Sequence, residues 1–136
     1  MPPKPPTIVD LLWTGTLAFT AQTSKASLVV DSGGVAGPSP VELLGVALAG
    51  CMSVDLAHIL NRGRHEFRAL RSRLVAERSP DEPHRFTAVT LHFAIEGTVP
   101  RDAVERAIQL SRDKYCSVWH SLRQDIAFQT SSEVVP

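Results

Sequence analysis

An α+β fold, with antiparallel sheets wrapped around one long buried central helix, is what this sequence predicts, and three observations carry the prediction. Residues 41–60 form a run that is apolar almost all round. Stretches of alternating apolar and polar residues lie on both sides of it, separated by breaks rich in glycine, proline and serine. With 136 residues, the chain is expected to be a single domain (1–136) that buries roughly two thirds of its unfolded surface.

The elements follow in order. Met1-Pro2-Pro3-Lys4-Pro5-Pro6 lacks the apolar stretch of a secretory signal, so residues 1–7 read as an extended arm and the expected location is the cytoplasm. From Ile8 to Asp31, Val9, Leu11, Trp13, Leu17, Phe19, Leu28, Val29 and Val30 recur among Thr, Ser and Gly. Two or three antiparallel strands are expected there, with turns at Thr14-Gly15 and Gln22 to Lys25. Asp31-Ser32-Gly33-Gly34 then breaks regular structure, and the loop runs on through Gly37.

Ser39-Pro40-Val41-Glu42 has the form of a helix start. Serine suits the N-cap, proline the first helical position, and Glu42 reaches back to complete a capping box. The helix is expected to run from Pro40 to Asn61-Arg62-Gly63, where a cation and a glycine close it. An all-apolar helix is a membrane span or the axis of a globular core. Only 12 residues separate Glu42 from Asp55, short of the ~20 a span needs, so the core reading is taken. Glu66 to Ser79 and Arg85 to Glu96 read as a hairpin turning at Ser79-Pro80-Asp81-Glu82-Pro83. Pro100 opens a second helix with Val104, Ala107 and Ile108 as its apolar stripe, ending near Asp113. A short helical turn over Ser117 to Arg123 and a last strand over Ile126 to Val135 complete the chain.

Lys and Arg number 14, as do Asp and Glu, so no net charge draws the protein to nucleic acid or to an anionic membrane, and neither is expected as a partner. Arg62, Arg64, Arg68, Arg71 and Arg73 are diluted by Glu66, Glu77 and Asp81 and read as a solvated face. The five histidines, His58, His65, His84, His92 and His120, show no metal-ligand spacing, and Gly33-Gly34 and Gly37 make no phosphate loop, so neither metal nor cofactor is expected.

The chain has two cysteines, Cys51 in the apolar run and Cys116 in Lys114-Tyr115-Cys116-Ser117-Val118. They are its only strong nucleophiles. A cysteine pair in a reducing compartment suits a transient, catalytic disulfide, while a buried cysteine on an apolar helix is by itself an ordinary small hydrophobe. Asp55, one turn beyond Cys51, would oppose thiolate formation if it faces the same site. His58, two turns on, would support it by donating a hydrogen bond if the site is open there, and otherwise reads as a core or helix-end histidine with a local partner. At the start of the turn 117–123, backbone N–H groups would favour a Cys116 thiolate.

Gly37-Pro38-Ser39-Pro40, Glu42-Leu43-Leu44 and Ala47-Leu48-Ala49-Gly50-Cys51, followed by Tyr115-Cys116-Ser117-Val118, resemble the OsmC/Ohr family, its YhfA-like branch above all. The resemblance extends over nearly the whole chain. It implies an OsmC-like intertwined homodimer in which Cys51 is the peroxidatic and Cys116 the resolving residue. The substrates would be organic hydroperoxides, and hydrogen peroxide as a second substrate; an external thiol reductant would reset the disulfide without a cofactor. The family's peroxidases use an arginine from the N-terminal strands and a glutamate directly after the helix-opening proline. Here no arginine precedes Arg62, and Val41 follows Pro40 with Glu42 one place later. Glu42 therefore reads first as a capping residue, with a role at the site second. The rival readings are a dimer that binds a small ligand, or does no chemistry, and a hot-dog thioesterase, another sheet wrapped on a helix.

Overall fold

A computed structural model describes residues 3–136; Met1 and Pro2, the start of the expected arm, lie outside the described residues. Residues 3–9 form no regular element and are exposed. The chain makes two compact units, the first ending at Leu44 and the second Gly45–Pro136.

The first unit is a three-stranded antiparallel meander of β1 (Asp10–Gly15), β2 (Ala18–Gln22) and β3 (Ser27–Asp31). Asp10 pairs with Gln22, and Gln22 with Ser27, so the expected strands and the turn after Gln22 are present, while the first turn falls at Thr16-Leu17 because Thr14 and Gly15 still belong to β1, Gly15 pairing with Ala18. Leu11, Leu12, Trp13, Leu17, Leu28 and Val29 are all exposed, leaving an apolar surface without cover in the single chain. The loop after β3 is organised by the buried Asp31. Its carboxylate accepts from the N–H groups of Gly33 (2.8 Å), Ala36 (3.0 Å) and Val35 (3.3 Å). Those bonds, that from Ala36 first, hold its pKa below the usual carboxylate value. The capping box then closes as expected. Ser39 N–H donates to Glu42 Oε1 at 3.0 Å and Glu42 N–H to Ser39 Oγ at 3.1 Å.

Helix α1 spans Pro40–Arg62, and from Gly45 on it belongs to the second unit. By length and composition alone it could cross a membrane. In the fold it is a core helix buried along one stripe. Leu48, Met52, Leu56 and Leu60 recur every four residues and are essentially inaccessible, while Val46 and Val54 on other faces stay exposed. The single chain thus buries the helix less completely than an all-apolar helix leads one to expect.

The remainder of the second unit is β4 (Phe67–Arg78), β5 (Phe86–Gly97), α2 (Arg101–Leu110), a π-helical turn (Ser111–Tyr115), α3 (Ser117–His120) and β6 (Ala127–Val135). Strands β4 and β5 form the expected antiparallel hairpin, with Leu74 opposite Leu91. Leu91, Phe93 and Ile95 alternate inward and are fully buried. Helix α1 meets this sheet where Gly45 faces Leu74 and where the Ser53 and Ser72 hydroxyls lie 2.9 Å apart. One strand departs from expectation. β6 pairs with β5 in parallel, Val89 opposite Phe128, so this sheet is mixed rather than purely antiparallel. Residues 98–126, carrying α2 and α3, form the crossover that a parallel pair requires. The arginines of the local cluster are all exposed, as a solvated face demands.

Candidate functional site

Cys51 lies in the middle of α1 and is half-buried. Counting along the helix, Asp55, His58, Ile59 and Arg62 follow at spacings of one helical face. Asp55, His58, Ile59 and Arg62 do line one groove, of about 470 Å³, whose opposite wall is Leu110 and Tyr115.

Cys116 is positioned by the π-helical turn. Its N–H donates to Ser111 O at 2.8 Å, closing a ring one residue wider than an α-turn, after which the backbone leaves the helical region at Cys116 (φ −73°, ψ 98°). The residue then caps α3, with Sγ accepting from Trp119 N–H at 3.3 Å. Trp119 is buried against Phe128 of β6, ring centroids 4.5 Å apart, and the Arg112 guanidinium carbon lies 4.9 Å from the Phe128 centroid. Gln124 Nε2 donates to Trp119 O (3.0 Å), and His120 Nε2 to Arg112 O (2.9 Å). Sidechain packing on β6 and these bonds hold both sides of Cys116.

The two cysteines come together. Burial pushes the Cys116 thiol up to about 11; the Trp119 N–H pulls the other way, and the neighbouring Cys51 side chain raises it further. The expected help from backbone N–H groups is therefore present but outweighed by burial, and Cys116 is a neutral thiol at ordinary pH. Both sulfurs are free thiols. Cys51 is the more accessible of the two, so a reagent meets it first.

The other candidates fall in different places. Asp55 is half-buried, and its Oδ2 accepts from Ser111 Oγ at 2.7 Å. His58 is exposed on the groove wall. Glu42 is exposed and engaged with Ser39. Sequence reasoning passed over Ser111, whose side chain is fully buried, and over Tyr115 as a wall of the groove. The available signal was position: Ser111 and Cys116 are one π-turn apart, as Asp55 and Cys51 are one α-turn apart. No group of three or more His, Cys, Asp or Glu side chains converges to hold a metal among the described residues.

The model of the OsmC-like protein family matches residues 31–131, which takes in the capping box and both cysteines. The chain belongs to the OsmC family. Among curated relatives, Protein YhfA of Escherichia coli (strain K12) is 35% identical over 126 residues, 90% of this chain and 94% of YhfA. Among solved structures, a hypothetical protein from Aquifex aeolicus VF5 superposes with a TM-score of 0.90 at 28% identity, covering 96% of this chain and 97% of that one. An organic hydroperoxide resistance protein OsmC from Legionella pneumophila superposes with a TM-score of 0.71, covering 95% of this chain and 97% of its own; at 17% identity it speaks for the fold alone. The OsmC-like α+β fold expected from the sequence is thus present, and the likeness to the YhfA branch holds.

Proposed function

We propose that this OsmC-family protein is a thiol peroxidase that reduces organic hydroperoxides through Cys51 and Cys116. The observation that carries the reading is the pairing of a half-buried Cys51 with a fully buried, protonated Cys116. The Cys51 thiolate attacks the terminal oxygen of ROOH, the O–O bond breaks, and RO⁻ takes a proton to leave as alcohol. Cys51 becomes a sulfenic acid. The Cys116 sulfur then displaces its hydroxyl, the S–S bond forms, and the thiol proton departs with the hydroxyl as water. Two equivalents of an external thiol return the disulfide to two thiols and leave as a disulfide of their own, with no cofactor. Partly buried, apolar surroundings at Cys51 favour alkyl peroxides over hydrogen peroxide.

The acting species in this reading is a cytoplasmic homodimer. Val46 and Val54 on α1 and the apolar residues of β1–β3 are exposed in the single chain, and a second copy is the partner that covers them. The ligand-binding alternative rests on the groove beside Asp55.

The test is to treat reduced protein with one equivalent of an alkyl hydroperoxide and map disulfides by mass spectrometry. A Cys51 to Cys116 bond, formed faster than with hydrogen peroxide, supports the reading, as does loss of peroxide consumption in Cys51→Ser. Unreacted thiols overturn it in favour of ligand binding.

A further inference from the structure

The side chain of Ser111 is fully buried, so its hydroxyl needs a partner, and that partner is the Asp55 carboxylate at 2.7 Å. At 2.7 Å it is a short hydrogen bond, and neither group has to move to make it. It joins two elements far apart in the chain, the middle of α1 and the π-helical turn. The same two elements meet a second time at the sulfurs. Cys51 precedes Asp55 by one α-turn, about 6 Å of rise. Cys116 follows Ser111 by one π-turn, closed by the Cys116 N–H to Ser111 O bond at 2.8 Å. The four residues make a closed frame: Cys51 and Asp55 on one side, Ser111 and Cys116 on the other, with the thiols and the Ser111–Asp55 bond as cross-members.

We infer that Asp55 is a positioning residue of the thiol pair, holding the π-helical turn through Ser111 so that Cys116 stays poised against Cys51. Among the described residues, that bond is the side-chain hydrogen bond that joins the turn to α1. The turn's other supports, Trp119 and Arg112 on Phe128 and the His120 bond to Arg112 O, tie it to α3 and β6. A carboxylate one turn from Cys51 is a poor aid to thiolate formation, and its tie to Ser111 accounts for its presence there.

The inference rests on Cys51 and Cys116 forming a disulfide, and its test needs no peroxide. Wild type, Ser111→Ala, Asp55→Ala and Asp55→Asn are equilibrated in glutathione redox buffers, and the effective concentration of one thiol at the other is read from the disulfide fraction. Loss of the buried bond should lower that concentration about tenfold in both alanine variants. Asp55→Asn keeps an amide oxygen that accepts from Ser111 and should stay within about threefold of wild type. If an alanine variant does not fold, Ser111→Thr and Ser111→Val, alike in shape and differing in the hydroxyl, carry the same comparison. Equal effective concentrations in wild type and in the folded variants without the bond would overturn the inference, as would Asp55→Asn falling with the alanines. A wild-type chain that forms the disulfide yet ignores peroxide refutes the peroxidase reading and leaves the positioning role standing. A wild type that forms no disulfide overturns both.

Discussion

Trp119 N–H donates to the Cys116 sulfur at 3.3 Å, yet the thiol it serves is pushed up to about 11 because burial outweighs the bond. The folded chain therefore keeps this proton where the unfolded chain, with an ordinary value near 9, releases it. Above about pH 9 the unfolded state holds fewer protons, so stability falls with rising pH by up to about 1.4 kcal/mol per unit, until the folded thiol titrates near 11. Urea unfolding of the reduced protein at pH 8 and pH 10.5 should show that loss, and Cys116→Ala should remove most of the slope. An unchanged slope in the variant would mean that Cys116 is not the group responsible.

Packing of Trp119 on Phe128 is expected to matter twice. Phe128→Ala should cost about 3–5 kcal/mol, as large buried aromatics do. Because Phe128 also underlies Arg112, the variant should expose Cys116 to alkylating reagents before global unfolding, read by mass spectrometry of iodoacetamide-treated protein. Equal protection in the two proteins would show that the turn holds itself.

Gly97 ends β5 at φ +152°, and a Cβ there would stand 2.6 Å from Glu66 O and 2.7 Å from Phe67 Cα. Both obstacles are backbone, which cannot swing aside. Gly97→Ala should lower stability by more than about 1 kcal/mol in thermal or urea unfolding, and a neutral result would show that the β4 entry yields.

Val54, 67% exposed on α1, separates the dimer from an isolated chain. In a monomer Val54→Glu is an ordinary surface change, within about 0.5 kcal/mol. In a dimer closed over this face it buries a charge and should drive dissociation, measured by sedimentation velocity. A variant that sediments like wild type, as a dimer, would move the interface elsewhere.

Much of the fold was legible because its signals are local. Ser39, Pro40 and Glu42 announce the start of α1 within four residues, and the alternation of Leu91, Phe93 and Ile95 announces β5 in the same way. The direction of β6 was not legible, because it depends on where α2 and α3 deliver the chain and not on residues 127–135 themselves. At the site, two cysteines in recognisable surroundings drew attention, and Asp55 and His58 were found by counting turns. Ser111 was missed since nothing beside it marks a buried hydroxyl, and its partner lies 56 residues away. The π-helical turn was hidden for a related reason: Ser111–Tyr115 reads as a fraying helix end until Cys116 and Phe128 fix it from outside.

The parallel docking of β6 also sets an order of assembly. Cys51 leaves the ribosome early, but the support beneath Trp119 is Phe128, so the segment bearing Cys116 cannot be seated until translation has passed that residue. Pairing of the two sulfurs in their folded setting thus waits on the C-terminal strand, although the residues that carry them lie well before it.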